Sequence, residues 1–589
     1  MTVGNPYGRR FTGGHGAGPA APGSPESWGM GTGVRGGTHT AWIACYPSAP
    51  KDSRRLRVSN REKVGRNTPN HRGWNESRAA YWSMGFRGVR TAVIRKWPSE
   101  PVTAEAAPAP RAPSLPRHTG TGGEVVRHVA NWLDWKADIT NVTAQVRNGN
   151  TAEITFDIAW QDSWRNVHNY DAVWLFFKVR SDGNQPWQHV RLAADRVLNP
   201  PGFGQEGGTQ LDLAVPDGED GFTGLFLYRA GEGEGALAAS GVRVVWDISG
   251  SPGIAKDLKE VRVRPFGIRM VYVPAGAFFL GSGGLEPGGF YRYSDGSQHI
   301  DSYKVTGPGS IATGRRDGQL WARRPTAQLE DGGEIPASFP NGFAAFYCMK
   351  HQIAPAQYAA FLNVLPEKEA ETRYAGKERW VFPVKRGKRG SQSRVLYSGG
   401  QGQVLRADYG PSTEFGADFS SQPAKARAGP GCFGLSWADG AAFAAWAGLR
   451  PMSELELEKA VRGPRRPAPD EVGPSYWGIG GFNTWDWNAF KGDPQSERAV
   501  TVGNAAGRRF QGTHGLGTLT LPADWPQADA VGSGMRCTHY TPCVGIFDHN
   551  WNLQRARLSD RLLAAVADPD RCPSHKWRGV RTAPKAAVD

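Results

Sequence analysis

The stretch that decides the fold is Gly434-Leu-Ser-Trp-Ala-Asp-Gly-Ala-Ala-Phe-Ala-Ala-Trp-Ala-Gly-Leu-Arg-Pro-Met-Ser-Glu-Leu-Glu-Leu-Glu-Lys-Ala-Val-Arg-Gly463. It predicts a helix over residues 436–447, with Phe443 and Ala447 on one apolar face. A second helix follows Ser453, which is a good N-cap, and the acidic residues of its first turn suit the helix dipole. Three glutamates of this second helix alternate and so do not share one face. We expect these three to be solvated: Glu454, Glu456 and Glu458.

Upstream of this block the chain mixes strand and helix signals. Met270-Val-Tyr-Val-Pro-Ala-Gly-Ala-Phe-Phe-Leu-Gly281 predicts a strand, a turn and a second strand. Residues 354–363 predict a short helix, with Pro355 in its first turn, where proline is tolerated. We therefore predict one α+β domain over residues 266–589.

Residues 124–265 alternate on the two-residue period of a half-buried strand. Runs such as Glu153-Ile-Thr-Phe-Asp-Ile-Ala-Trp160 are separated by turn sequences such as Asn148-Gly-Asn150. Short strands with such turns predict an antiparallel, immunoglobulin-like β-sandwich. Five tryptophans are predicted to pack in its core, with a carbohydrate-facing surface as the alternative: Trp132, Trp135, Trp160, Trp164 and Trp174.

The composition limits the class of protein. Of 589 residues, 77 are Gly and 43 are Pro, which favours loop-rich folds with short strands over a helical bundle. Six cysteines are too few for a disulfide framework. The chain has no long apolar run and no apolar stretch at its N-terminus, so we expect no membrane span and no signal peptide. Cytoplasmic location is the default expectation, and association with a surface stays open.

The positive charge is concentrated at one end. Residues 1–100 hold 16 Lys and Arg against 5 Asp and Glu, a net of +11, out of +15 for the whole chain. No zinc-finger spacing, phosphate loop or nucleic-acid-binding module accompanies it. We therefore interpret it as an Arg-rich piece of a larger fold and expect no nucleic-acid partner.

The first 95 residues repeat the last 90. Thr2-Val-Gly-Asn-Pro-Tyr-Gly-Arg-Arg-Phe11 matches Thr501-Val-Gly-Asn-Ala-Ala-Gly-Arg-Arg-Phe510 at eight of ten positions. Four further blocks recur in the same order. These are Gly13, His15, Gly16 and Gly18 as Gly512, His514, Gly515 and Gly517; Gly33-Val-Arg35 as Gly534-Met-Arg536; Arg57-Val-Ser-Asn-Arg61 as Arg557-Leu-Ser-Asp-Arg561; and Arg87-Gly-Val-Arg-Thr-Ala92 as Arg578-Gly-Val-Arg-Thr-Ala583.

Between these blocks the two copies diverge. Residues 36–46 share almost nothing with residues 537–552, and residues 62–86 differ from residues 562–577. A retained frame around changing loops is what a binding scaffold needs, since loops carry recognition. Neutral drift of a redundant copy is the alternative interpretation.

A Pro- and Ala-rich linker over residues 96–123 separates the first copy from the rest. Residues 1–95 repeat only the C-terminal part of a domain, and half a core does not bury enough apolar surface to offset chain entropy. We expect this segment to be disordered. Replacement of the C-terminal copy and pairing with another chain are the alternatives.

Four blocks resemble the formylglycine-generating-enzyme (sulfatase-modifying factor) family. They are residues 270–282, residues 347–363, residues 434–463 and the closing strand Trp577-Arg-Gly-Val-Arg581, which Gly85-Phe-Arg-Gly-Val-Arg90 matches better. The resemblance implies a C-type-lectin-like α+β fold with little regular secondary structure. It also allows a structural calcium ion.

The family's oxidases hold copper on two cysteines five residues apart, and thiolates suit Cu(I). This chain offers Cys537 and Cys543, which are six apart. The family's Gly-Asn-Val-Trp-Glu-Trp block is also missing, and residues 517–529 stand in its place. A copper-dependent oxidase of sulfatase cysteines, with copper and catalysis at Cys537 and Cys543, is therefore the second hypothesis. A metal site formed by these cysteines with His539 and His549 matches no zinc spacing.

The departures resemble another branch, the variable proteins of diversity-generating retroelements. The shared frame is Gly-x-Gly-x-Arg, a scrambled segment, Ala-Arg-x-Ser-x-Arg and Arg-Gly-Val-Arg-Thr-Ala. This resemblance implies a non-catalytic protein, without a cofactor, that displays a variable surface to a protein or carbohydrate ligand. The ligand-binding residues implied are Thr538, His539, Tyr540, Asp548, His549, Asn550, Trp551 and Asn552.

Overall fold

The structure is a computed structural model. It describes residues 33–35, 61–63, 136–181, 185–193, 204–216, 222–254, 258, 260–296, 301–323, 329–374, 384–386, 409–411, 432, 434–471, 475–480, 496–527, 533–536, 557–562, 564, 569–571 and 575–584. For residues 33–35, 61–63, 384–386, 409–411, 496–497 and 533–536 only the backbone is described.

The chain divides into two compact units, Met1–Pro110 and Arg111–Asp589. The division falls within the predicted linker. In the first unit the described part is an antiparallel pair of short strands, β1 (Gly33–Arg35) and β2 (Arg61–Lys63), with Arg35 opposite Arg61. The other residues of the N-terminal copy, and the expectation that it is disordered, lie outside the described residues.

The second unit contains many strands and few helices. Its strands are β3 (Asp138–Asn148), β4 (Thr151–Arg165), β5 (Asp171–Arg180), β6 (Gln188–His189), β7 (Gly207–Gly208), β8 (Leu211–Ala214), β9 (Leu225–Arg229), β10 (Gly233–Asp247), β11 (Arg262–Val273), β12 (Phe278–Leu280), β13 (Phe290–Arg292), β14 (Tyr303–Val305), β15 (Ile311–Thr313), β16 (Leu320–Ala322), β17 (Gly333–Ile335), β18 (Phe346–Met349), β19 (Val384–Arg386), β20 (Tyr409–Pro411), β21 (Arg450–Pro451), β22 (Ser496–Val500), β23 (Ser533–Arg536), β24 (His575–Lys576) and β25 (Gly579–Thr582). Its helices are α1 (Pro355–Leu362), α2 (Glu367–Arg373), α3 (Trp437–Ala447), α4 (Glu454–Arg462) and α5 (Ala505–Arg508), with a 3-10 turn at Ile248–Gly250.

Two sheets dominate this unit. One has the strand order β3-β4-β10-β7, and the other has the order β21-β25-β18-β11-β5-β9-β8, with β6 also paired to β5. Between them lies an apolar core to which β4 contributes Ile154, Phe156 and Ile158. The turn predicted at 148–150 joins β3 to β4, and the Asn148 side chain accepts hydrogen bonds from the backbone amides of residues 150 and 151. The predicted antiparallel sheets are therefore present in this region.

Strand β5 serves two cores, because both of its faces are buried. Val173 and Leu175 face the first sheet, whereas Trp174 and Phe176 face the helices on the other side. Trp160 and Trp164 are buried as well, which confirms core packing for three of the five tryptophans. Trp132 and Trp135 lie outside the described residues.

Strand β11 joins the two predicted domains. It pairs with β5 along residues 262–271 and with β18 along residues 270–273. The boundary expected between residues 265 and 266 therefore falls inside a strand. The sandwich region and the C-terminal region share one sheet.

The helices predicted from local signals are confirmed. Helix α1 starts at Pro355, helix α3 follows Ser436, and helix α4 follows Ser453. Both serines accept a hydrogen bond from the third residue of their helix. The second unit is thus a mixed α+β, strand-rich fold. Within the described ranges, no helix is both long and apolar enough to cross a membrane.

Candidate functional site

The residues predicted to bind ligand or copper lie outside the described residues. These are Cys537, Thr538, His539, Tyr540, Cys543, Asp548, His549, Asn550, Trp551 and Asn552. The structure does describe both ends of the segment that carries them, at Ser533–Arg536 and from residue 557 onward. How these ends are held determines what the segment between them can do.

The N-terminal end of the segment is a sheet strand. Strand β23 pairs antiparallel with β22, and Arg536 lies opposite Glu497. On its other side β22 pairs with β24, in parallel. Arg536, the last described residue before the segment, therefore lies in a three-stranded sheet.

The C-terminal end is anchored by side chains. Arg557 pairs with Asp470, with 2.5 Å between Nη1 and Oδ1. The backbone amide of the buried Leu558 donates to the carbonyl of Glu471, and the Ser559 hydroxyl accepts from Arg462 at 3.0 Å. The first three described residues after the segment, 557–559, therefore all bind residues of helix α4 or of the chain just after it.

Glu454 connects this end to the repeated Thr-Val block. Its Oε1 accepts from the Thr501 hydroxyl at 3.0 Å, from the Val502 amide at 2.8 Å and from Arg561 Nη2 at 2.8 Å. Its Oε2 accepts from Arg561 Nε at 2.8 Å, and both charged side chains are fully buried. Thr501 follows directly on strand β22, which pairs with β23, so this one carboxylate links the elements at both ends of the segment.

The expectation that the three glutamates of α4 are solvated is wrong. Glu456 forms a two-point pair with Arg450, at 2.6 and 2.8 Å. Glu458 pairs with Arg462 at 3.1 Å and accepts from the Gly281 amide at 2.8 Å. Helix α4 is buried on every side, so alternation along it brings each carboxylate to a different arginine. Arg462 lies on the same helix as Glu458, whereas the partner of Glu454, Arg561, comes from 107 residues away.

Sequence reasoning identified the repeated arginines as retained residues but did not assign them buried partners. Arg561 and Ser559 belong to the repeated Arg-x-Ser-x-Arg block, and Arg578 and Arg581 belong to the repeated Arg-Gly-Val-Arg block. Arg578 donates to the carbonyls of Met349 and Gly480 at 2.7 Å, and Arg581 donates to that of Gly448. The repetition of arginines at fixed places was the signal that pointed to buried roles.

A buried lysine ties the C-terminal copy to the sandwich region. The Lys178 side-chain nitrogen donates to the carbonyls of Trp446 and Gly517 at 2.9 and 2.6 Å and lies 2.8 Å from Nδ1 of His189, and burial lowers the pKa of Lys178 well below its usual value. Because the Thr223 carbonyl can only accept, Nε2 of His189 carries the hydrogen, and Nδ1 of the neutral ring accepts from Lys178. Burial and the neighbouring Lys178 hold the pKa of His189 well below its usual range.

His575, in strand β24, is in a similar buried environment. Nη2 of Arg498 lies 2.7 Å from its Nδ1, so this ring is neutral too. Burial and the Arg498 guanidinium lower the pKa of His575 to about 3. Neither histidine is placed to act as a general base near neutral pH, because Nδ1 of each ring already faces a buried basic side chain.

We expect the free energy of unfolding to fall as the pH drops below about 6.5. The unfolded chain protonates these two histidines in that range, and the native state does not. Each histidine then contributes a loss of about 2 kcal/mol between pH 7 and pH 5. Urea unfolding at the two pH values measures it. Burial also holds the pKa of His351 well below its usual range, so His575→Asn should remove about a third of the total loss, and His168→Asn, at an exposed position, is the control variant. An unchanged pH dependence in His575→Asn contradicts the assignment.

A surface cleft of about 330 Å³ lies between β11, α1 and α3. Phe176, Phe266, Phe443 and Trp446 form its apolar wall, and Gln357 lies at one side. Its described lining holds no Ser, Thr, Cys or His, and its charged residues are Lys136, Asp138 and Arg264. Its volume is in the range of small-molecule sites.

The described part of the chain offers no metal centre. No group of three or more His, Cys, Asp or Glu residues there is arranged to hold a metal ion. The two described cysteines, Cys348 and Cys432, are buried, and burial raises the pKa of the Cys432 thiol well above its usual range. A buried thiol of this kind is a poor nucleophile.

Comparisons with known proteins give no relative. Neither the known protein families nor the curated proteins include one that matches this chain.

Proposed function

We propose that the chain is a non-catalytic ligand-binding protein that displays a variable surface on residues 537–552. We further propose that its C-terminal region has a C-type-lectin-like fold related to the formylglycine-generating enzymes. In this proposal the chain is a counterpart of the variable proteins of diversity-generating retroelements. The supporting observation comes from the repeat. Its retained positions make the contacts that hold the C-terminal region together, and its divergent positions lie between them in the sequence.

The retained positions are those that hold the frame together. Thr501 and Arg561 bind the buried Glu454, Ser559 binds Arg462, and Arg578 binds main-chain carbonyls of the core. Each of the four is identical in the N-terminal copy. The divergent segment 537–552 lies between such anchors. Sequence change there leaves the bonds of the frame in place.

A fixed frame favours binding for a physical reason. When the two ends of a loop are held by buried bonds, less chain entropy is lost as the loop orders on a ligand. The segment also carries residue types that make effective anchors in recognition surfaces, namely Tyr540, His549 and Trp551. Polar neighbours such as Asp548 and Asn550 add hydrogen-bonding groups.

A loss-of-binding experiment tests this proposal. The probes are a printed glycan array and a phage-displayed peptide library, which separate a carbohydrate from a protein ligand. We expect the full chain to select members of one of them, and Tyr540→Ala with Trp551→Ala to weaken that binding at least tenfold without lowering the melting temperature. Binding that survives this double substitution, or its absence from both probes, contradicts the proposal.

The two cysteines provide the test against oxidase chemistry. We expect Cys537→Ser with Cys543→Ser to leave the melting temperature unchanged and ligand affinity within about threefold, because a binding surface does not need a thiolate pair. Copper content is measured on the reconstituted chain, together with turnover of a cysteine-containing sulfatase peptide. Stoichiometric copper that is lost with either substitution would overturn the binding function in favour of the oxidase.

A further inference from the structure

The N-terminal copy retains the residues with which the C-terminal copy binds the unrepeated part of the chain. In the C-terminal copy these contacts are as follows: Thr501 and Arg561 to Glu454, Arg508 to Glu330, Phe510 to Phe339, Arg557 to Asp470, Ser559 to Arg462, Arg578 to Met349, and Arg581 to Gly448. The corresponding residues are Thr2, Arg61, Arg9, Phe11, Arg57, Ser59, Arg87 and Arg90. All eight are identical, although none of their partners is repeated.

The retained glycines strengthen this correspondence. A Cβ on Gly515 would lie 2.3 Å from Cα of Ala445, and one on Gly517 would lie 2.1 Å from the ring of His189. Gly517 also has a φ of 78°, which favours glycine. These glycines are required by neighbours outside the repeat. The N-terminal copy keeps both, as Gly16 and Gly18.

Several differences between the copies fall where the C-terminal copy tolerates them. Leu516, which is 44% exposed, is Ala17 in the first copy. Ala505, the first residue of helix α5, corresponds to Pro6, and proline is favoured at that position. The buried Trp577 corresponds to Phe86, which keeps an aromatic ring. The buried His575 and Lys576 do change, to Met84 and Gly85, and both belong to the divergent stretch 562–577.

We propose that residues 2–91 are an interchangeable counterpart of residues 501–582, able to occupy the same place against the core of the same chain. The chain would then present one of two different variable segments on one frame. This inference goes beyond the proposed ligand binding, and its test needs no ligand.

The length of the connection favours exchange within one chain. Residues 92–135 separate the first copy from the first described residue of the second unit. A flexible connection of that length has an r.m.s. reach of roughly 40 Å, and its prolines extend it further. Tethering at such a length gives an effective concentration in the millimolar range, well above that of a second molecule in dilute solution.

A disulfide reports which copy is in place. Val580 of β25 lies opposite Cys348 of β18, and both side chains are in the same buried cluster. Its counterpart in the first copy is Val89. In full-length chains with Cys45, Cys537, Cys543 and Cys572 replaced by serine, Val580→Cys should form a disulfide with Cys348 and establish the geometry. Val89→Cys should form little.

The exchange is then driven by weakening the C-terminal copy. Adding Arg561→Ala to the Val89→Cys chain should raise the yield of the disulfide that joins position 89 to Cys348 at least tenfold, as measured on tryptic peptides by mass spectrometry. Val93→Cys, four residues further along, is the matched control and should form none. Adding Arg61→Ala, which removes the corresponding anchor of the first copy, should abolish the gain.

Stability gives a second, independent readout. Arg61→Ala alone should leave the melting temperature unchanged, whereas Arg61→Ala combined with Arg561→Ala should lower it further than Arg561→Ala alone. The proposal would be overturned if the double variant had the same melting temperature as Arg561→Ala alone. It would also be overturned if the Arg561→Ala chain unfolded although its first copy is intact. A disulfide found only in dimers on non-reducing gels would overturn it as well.

Discussion

Replacing Glu454 by Gln will lower the free energy of unfolding by about 3–5 kcal/mol, the range for removing one partner of a buried ion pair. The carboxylate accepts four hydrogen bonds, two of them from Arg561, which is fully buried. The amide that replaces it presents an NH₂ group to donors and leaves the guanidinium charge uncompensated. Urea unfolding followed by tryptophan fluorescence measures the loss.

The control for this substitution is Glu334→Gln. Glu334 lies in strand β17 and its side chain is exposed, so the change should stay within about 0.5 kcal/mol. A loss below about 1 kcal/mol in Glu454→Gln would contradict the role given to this residue. Because Glu454 belongs to the core and not to either copy, the N-terminal segment cannot compensate for its loss, in contrast to the loss of Arg561.

Replacing Asp171 by Asn will have an effect of similar size, about 3–5 kcal/mol. Asp171 begins the shared strand β5 and pairs with Arg269 of β11, while Lys350 Nζ lies 3.8 Å away. Its other oxygen accepts from the Trp164 amide at 2.9 Å, and Trp160 Nε1 also donates to the carboxylate. All three charged side chains are buried, so the substitution leaves two cations facing a neutral amide.

The pattern of the loss distinguishes Asp171 from an ordinary core residue. Hydrogen exchange should show amides of both β4 and β18 losing protection together, because the carboxylate joins the sandwich region to the C-terminal region. Asp317→Asn is the matched control. Asp317 is exposed and lies 3.7 Å from Arg292, and such a surface ion pair contributes little to the free energy of unfolding. Loss of protection confined to β4 would argue against this joining role.

Local signals were enough to predict individual elements. Ser436 and Ser453 cap their helices because a hydroxyl at that position satisfies a backbone amide that the helix leaves free. Pro355 starts helix α1 because its fixed φ suits the first turn. Asn148-Gly-Asn150 forms the predicted turn between β3 and β4. Each of these features depends on residues within a few positions of one another.

The repeat was a stronger signal than any single element. It named, from sequence alone, most of the residues that the frame uses, since Arg561, Ser559, Arg578 and Gly517 are all identical between the copies. What it did not reveal was the other half of each contact. The partners lie in the unrepeated chain, 107 residues away for Arg561 and Glu454, where no local pattern points to them.

By itself, then, the sequence determined the class of fold, the caps, the turns and the identity of the frame residues, because these depend on short-range geometry and on repetition. The tertiary structure alone decided that Glu454, Glu456 and Glu458 are buried, because a helix can be covered on every side only by elements distant in the chain. It also decided that β5 and β11 fuse the two expected domains into one sheet. A strand buried on both faces, such as Asp171–Arg180, has no polar face to mark where one core ends and the next begins.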